Sequence, residues 1–372
     1  TWTATDIATS ADDATSVFVA DMDNDGDMDV VSSSSNDDTI AWYENDGAAS
    51  NSQTARGISA WTEVVAGSSF DNANDVIHAD IDGDGDLDMV AVSSGNDDDV
   101  SWFINDGSPA GAGWTEVAID NNFPNPMDVD VADMDNDGDL DVVAGSGTGG
   151  DILVWWINDG SPEDAGWTEV TIDSDCDHCR EVYIVDMDGD GNMDVLATAR
   201  DDDDICWYKN DGTPTNGGFT EYKIDDGFSA VSSVHATDMD NDGDVDVLGA
   251  AIGLHDVSWF VNDGNPSQNG WTEVIIDGEF DDAISVYPAD INNDGWMDVV
   301  GAAFEGDDVS WWENDKTPSG HTWTEYTIDG SFNGATDVFP VDIDGDGDLD
   351  VLAASEANAG IAVWINDGSP DN

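Results

Sequence analysis

The sequence predicts an all-β fold, a seven-bladed β-propeller built from four-stranded antiparallel blades, and three observations lead there. A nine-residue aspartate loop recurs seven times at a nearly fixed period, each repeat carries the same order of strand-like runs, and the two chain ends hold complementary parts of one repeat. The loop first stands at 21–29 as DMDNDGDMD. It returns at 80, 133, 186, 238, 290 and 342, with starts 59, 53, 53, 52, 52 and 52 residues apart. A fixed period of this length marks a repeat architecture, so residues 1–372 read as one array of seven units.

Every unit repeats one order: an apolar run such as SVFVAD, the aspartate loop, MDVVSS, a polar gap, TIAWYENDG, a loop rich in Pro, Gly and Ser, and WTEVVAG. Four short β-rich runs bounded by turn residues describe a four-stranded antiparallel sheet. The third run is bulky on both alternating faces, with Trp102 beside Phe103, Trp155 beside Trp156 and Trp311 beside Trp312. A strand apolar on both faces belongs to a sheet covered on both sides, as radially packed blades are. The blades are predicted at about 13–66, 72–120, 125–173, 178–225, 230–277, 282–329 and 334–368. The opening TWTATDI matches a fourth strand, whereas the last repeat stops at WINDGSPDN and lacks one. Strand 1–8 is therefore predicted to complete the last blade and close the ring, which leaves no open sheet edge there.

Composition bounds the function. Apolar residues make up 39% of the chain and sixteen are tryptophan, enough buried surface to offset the entropy of ordering. Against 85 acidic residues stand only 6 basic ones, a formal charge of −79. Nucleic-acid affinity rests on Lys and Arg displacing counterions, so that partner class is excluded, and anionic membranes are disfavoured for the same reason. No apolar run approaches the roughly 18 residues of a membrane span, and no signal peptide precedes Thr1, so the chain reads as a mature, soluble product.

The loop itself has the chemistry of a calcium site. Calcium takes six to eight oxygens, and the EF-hand loop draws them from positions 1, 3, 5 and 7, with a glycine at 6 for the sharp turn. Positions 1, 3, 5, 7 and 9 are Asp21, Asp23, Asp25, Asp27 and Asp29 in the first loop, and Asp80, Asp82, Asp84, Asp86 and Asp88 in the second. They are Asp133, Asp135, Asp137, Asp139 and Asp141 in the third, and Asp186, Asp188, Asp190, Asn192 and Asp194 in the fourth. The fifth has Asp238, Asp240, Asp242, Asp244 and Asp246, the sixth Asp290, Asn292, Asp294, Trp296 and Asp298, and the seventh Asp342, Asp344, Asp346, Asp348 and Asp350. Position 7 tolerates Asn192 and Trp296, so it is expected to offer only its backbone carbonyl, while the invariable Asp at 9 closes the site as a bidentate ligand. Up to seven calcium ions are expected, the weakest in the sixth loop, where Asn292 removes one carboxylate.

Seven repeats with a DxDxDGxxD loop between first and second strands resemble the FG-GAP/VCBS propeller family, which includes integrin α-subunit propellers and some fungal sugar-binding propellers. The resemblance covers essentially the whole chain. It implies a calcium-dependent binding or adhesion module with a glycan or another surface protein as partner. Calcium sites of roughly 10⁻⁴ to 10⁻³ M affinity serve extracellular modules, so an extracellular or surface location is expected. Even a full set of divalent ions would leave most of the −79 in place. A residual field of that size is best tolerated where salt screens it, which points to a saline medium, with a cation-scavenging surface as the alternative.

Unrepeated residues are the candidates for specific function. Trp296 projects from a calcium loop and suggests a sugar or partner contact, set against local packing. In blade four Cys176 takes the place held elsewhere by Phe70, Phe123, Phe228, Phe280 and Phe332, and is followed by His178 and Cys179. A Cys176–Cys179 disulfide is expected there, with metal binding by the two cysteines and His178 as the alternative, and Cys206 as a small buried thiol. Arg180 and Arg200 lie on the same face of the same blade, either neutralising neighbouring aspartates or recognising a ligand carboxylate or sulfate. An insertion in blade one carries Arg56. No nucleophile, base and orienting group stand at usable spacing, so a polysaccharide lyase is the weaker reading. A further alternative is a structural subunit that assembles into a surface layer or filament by exchanging its terminal strand.

Overall fold

A computed structural model describes residues 2–45, 61–96, 98–109, 114–162, 167–213, 218–267, 270–316, 322–357 and 360–370. Its strands form seven four-stranded antiparallel sheets. Strand β1 (Trp2–Ala8) precedes the first complete blade, made of β2 (Ala14–Ala20), β3 (Asp29–Ser34), β4 (Thr39–Asn45) and β5 (Trp61–Gly67). The order repeats to the last blade, β26 (Ala335–Val341), β27 (Asp350–Ser355) and β28 (Gly360–Asn366). There β1 pairs with β28, from Trp2 opposite Asn366 to Ala8 opposite Ile361, and closes the ring. Trp2 Nε1 also donates to the Pro370 carbonyl at 3.2 Å.

The core lies between blades. Trp42 and Ile40 of the first blade pack with Phe70, Met89 and Phe103 of the second, and similar clusters recur around the ring. Trp42, Trp102, Trp155, Trp207, Trp259 and Trp311 are all fully buried. Each contributes about 4–6 kcal/mol of gross apolar burial, which explains why tryptophan is kept at this strand position in six blades, with Val363 in the last. The second aromatic of the pair meets the linker phenylalanine edge-on, as in Phe123 with Trp156 at 4.9 Å and Phe280 with Trp312 at 4.8 Å.

Blade four breaks this pattern. Cys176 fills the phenylalanine position and lies in the core with Cys179, Cys206 and Tyr208. The expected disulfide is not formed: Cys176 and Cys179 are free, buried thiols. They lie next to each other, and burial first, then the hydrogen bond with Cys176, pushes the Cys179 thiol well up. Exchange requires a thiolate, which this apolar site opposes, so the structure fills the gap with thiols and Tyr208 rather than with a covalent staple.

Candidate functional site

Two constructions stand out, the aspartate loops on one face and a cavity on the ring axis. In each loop position 4 is Asn or Gly because the backbone there is left-handed, with φ of 57–72° from Asn24 to Gly345. Those residue types enter that region at least cost. Position 6 has φ of 88–101°, a conformation that favours glycine. The turn folds the amides inward onto the carboxylates: in the first loop Gly26 N donates to Asp21 Oδ2 at 3.0 Å and Asp27 N to Asp25 Oδ1 at 3.0 Å.

Carboxylates at positions 1, 3 and 9 converge to within 4.8 Å of one another in Asp21, Asp23 and Asp29, and likewise in Asp80, Asp82 and Asp88, in Asp133, Asp135 and Asp141, and in Asp186, Asp188 and Asp194. Oδ1 of Asp21, Asp80 and Asp135 is buried without a hydrogen-bond partner. A buried acceptor with no donor is costly unless a cation meets it, so these residues could hold a hard metal ion. Position 7 turns elsewhere: Asp86, Asp139 and Asp348 face the glycine of the following Asn-Asp-Gly turn, where a Cβ would stand 2.7 Å away.

The sixth loop differs twice. Trp296 occupies position 7 and is half-buried, its amide donating to Asp294 Oδ1 at 3.1 Å. The glycine that faces this position in other blades has φ of 72–82°, yet here it is Lys316 at 63°, with Nζ 2.6 Å from Asp294 Oδ2. In the fourth loop Lys209 likewise contacts Asp188 and lies 2.8 Å from Asp190.

Behind the loops the position-9 aspartates are structural as well. Asp29 accepts from Met22 N at 3.0 Å and from Asn45 N at 2.8 Å. The asparagine that ends the third strand bridges blades: Asn105 Nδ2 reaches the Leu87 carbonyl of its own blade at 3.0 Å and the Met22 carbonyl of the preceding one at 3.2 Å. The sequence reading overlooked this residue, although Asn-Asp closes every third strand.

The cavity, about 630 Å³, is lined by the innermost strands and by turns on the face opposite the aspartate loops. One repeat position carries Ser16, Asp75, Asp128, Glu181, Ser233, Ser285 and Asp337, all on its wall save Ser233. Six of these seven accept a backbone N–H from the following blade, from Val129 N to Asp75 Oδ2 at 3.2 Å, through Val182 N to Asp128 Oδ2 at 2.7 Å, to Val17 N to Asp337 Oδ2 at 3.0 Å. Two residues on, Phe18, Phe339, Tyr287, His235 and Tyr183 form a continuous aromatic arc through five blades, with centroids 4.4–5.1 Å apart. Ile77 and Asp130 complete that layer. Burial pushes Asp130 up to about 7, Glu181 up to about 8 and Asp128 well above the carboxylate range. Burial holds His235 down at about 4, so its imidazole is neutral.

Of the residues singled out in the sequence, Arg180 and Arg200 line this cavity, whereas Trp296 lies on the other face. His178 stands outside it: Nδ1 is 3.1 Å from Thr148 Oγ1 and 3.5 Å from Asp201 Oδ1. Arg56 falls outside the described residues. The axial carboxylates were missed because a single polar residue in an apolar run, as in NDVIHAD or REVYIVD, reads as ordinary strand alternation. Only alignment of the repeats brings them into one ring.

Among the described residues no helix is long and apolar enough to cross a membrane. No curated protein matches the chain. The chain is similar in fold to an Agrocybe aegerita lectin described for specific recognition of non-reducing terminal N-acetylglucosamine, at 16% identity and a TM-score of 0.56, covering 86% of this chain and 81% of that one. It is also similar to BBS1N, solved in complex with ARL6DN, at 10% identity and a TM-score of 0.63, covering 99% and 98%. A model of the FG-GAP-like repeat matches six overlapping segments, 21–91, 80–144, 133–197, 186–249, 238–301 and 290–353. With the aspartate loops at the head of each segment and seven blades closed by β1, the chain belongs to the FG-GAP-like repeat family.

Proposed function

We propose that this propeller is a secreted or surface-displayed binding module, stabilised by calcium in its aspartate loops, that takes up a glycan or a protein segment without chemically changing it. The axial cavity carries this reading. Its volume lies within the about 300–1,000 Å³ of ordinary ligand sites, and it combines an aromatic arc with a few convergent hydrogen-bonding groups. The lectin similarity supports a sugar, and the BBS1N complex supports a protein partner, each as analogy of fold.

Calcium, when bound, supplies charge neutralisation and ties the first strand of a blade to the second. The protein's own part is to hold three carboxylates in place through amide hydrogen bonds and to keep them apart from the cavity. A glycan array read in calcium and after chelation tests the function. Calcium-dependent binding is expected, no binding to any glycan or protein ligand would sink it, and appearance of unsaturated sugar ends would overturn its non-enzymatic character.

The sixth loop gives a sharper test of the metal reading. Asn292 lowers its charge, and Lys316 brings an ammonium to Asp294. Native mass spectrometry is expected to show one tightly held calcium fewer than the number of loops. Lys316→Gly combined with Asn292→Asp is expected to add that ion, and an unchanged count would show that this loop does not differ from the others.

A further inference from the structure

We propose that the axial cavity binds the acidic sugar unit of a glycan, with Arg180 and Arg200 gripping its carboxylate or sulfate at the mouth and the aromatic arc supporting the sugar ring. This rests on the binding-module reading above and names the ligand class for the same site.

The arginines make the case. The chain has 85 acidic residues and only 6 basic ones, of which two stand together on the wall of one cavity. They are close enough that the Arg200 charge, after burial, is the second cause lowering the Arg180 pKa. Glu181 and Asp128, when ionised, offset part of that repulsion, and an anion shared by the two guanidiniums would offset the rest. Yet among the described residues neither guanidinium has a carboxylate within 4.0 Å, whereas Lys209, Lys223 and Lys316 all do. A guanidinium pair presents parallel N–H donors suited to the planar oxygens of a carboxylate or to a sulfate ester.

The rest of the wall suits a sugar. Tyr183, His235 and Tyr287 offer ring faces for the C–H side of a pyranose, and their polar atoms can meet its hydroxyls. Negative charge deeper in the cavity would oppose an anion. Burial moderates that opposition, because it favours the protonated forms of Asp128 and Glu181, which then donate hydrogen bonds as well as accept them. In the other repeats the residue at the Arg180 position is uncharged and short or apolar: Thr15, Asn74, Met127, Ser232, Ile284 and Thr336. Thr15, Asn74, Ser232 and Thr336 each donate to the first-strand carbonyl of the following blade, from Thr15 Oγ1 to the Ala73 carbonyl at 3.0 Å to Thr336 Oγ1 to the Ala14 carbonyl at 2.7 Å. Arg180, like Met127 and Ile284, does without this latch, and it alone puts a charge at this position.

The test is calorimetric titration of the calcium-loaded protein with oligogalacturonides, sulfated disaccharides and neutral chito-oligosaccharides. Binding of an acidic series is expected, the first two arms separating carboxylate from sulfate. Arg180→Met with Arg200→Met is expected to weaken that series by roughly 10- to 100-fold, the worth of one or two charged hydrogen bonds, with neutral sugars unaffected. Arg200→Met alone, at a surface turn, provides the same reading with a smaller loss if the double variant fails to fold. Tight binding of neutral sugars that neither substitution changes would overturn the acidic ligand while leaving the binding module standing. Failure of every sugar arm would overturn both the acidic ligand and the glycan reading beneath it.

Discussion

Chelation of calcium at low ionic strength is expected to lower the melting temperature by more than about 10 °C, because many clustered carboxylates lose their counter-ions together. Positions 1, 3 and 9 bring oxygens within 4.8 Å in at least four loops. At an effective dielectric near 20, two full charges at that separation repel by about 3 kcal/mol, reduced where the groups meet solvent. The loops account for 32 of the 85 acidic residues, so the penalty accumulates around the whole ring. Molar salt shortens the screening length to about 3 Å and is expected to restore part of the loss. Thermal melts followed by circular dichroism, in calcium and in chelator at low and high salt, check both statements. A melting temperature indifferent to chelation at low salt would remove calcium from the structural role.

Asp194→Ala is expected to cost about 3–6 kcal/mol even in saturating calcium, through backbone and indole donors rather than through the metal alone. Its Oδ2 accepts from Met187 N at 3.2 Å and Trp207 Nε1 at 3.0 Å, and its Oδ1 accepts from Asn210 N at 2.7 Å. Asp194 and Trp207 are fully buried, so truncation leaves donors with no water to turn to. Asn192→Ala, two residues earlier, removes an exposed contact to Asp190 and is expected to stay within about 0.5 kcal/mol. Urea midpoints of the two variants decide the matter, and equal midpoints would show that the donors held by Asp194 do not stabilise the fold.

Much of this architecture is legible in the sequence because a repeat states each rule seven times. The Asp-Gly spacing announces the loops, paired bulky residues such as Trp155 and Trp156 announce a sheet covered on both faces, and TWTATDI announces the strand that closes the ring. The structure assigns finer roles. Position 4 alternates only between Asn and Gly because its φ is positive, a constraint visible in the sequence once the backbone is known. The axial cavity was hidden for a different reason. Its wall takes three to five residues from each blade, so Asp128, His235 and Arg180 are scattered along the chain and meet only when the ring closes. Cys176 shows where spacing misleads: CxxC suggested a crosslink, whereas the two cysteines stand as free, buried thiols in an apolar niche.

The left-handed asparagines have one more consequence. Asn136 Nδ2 reaches the Gly191 carbonyl at 3.5 Å, Asn241 the Gly295 carbonyl at 3.4 Å and Asn293 the Gly347 carbonyl at 3.2 Å, so a loop with asparagine at position 4 touches the corresponding loop of the next blade, which the loops with Gly83, Gly189 and Gly345 cannot do. Ordering one loop therefore fixes an acceptor and a donor for its neighbours. Ion uptake by one loop of such a pair is then expected to favour uptake by the other, a coupling that titration calorimetry of the ion would read as cooperativity.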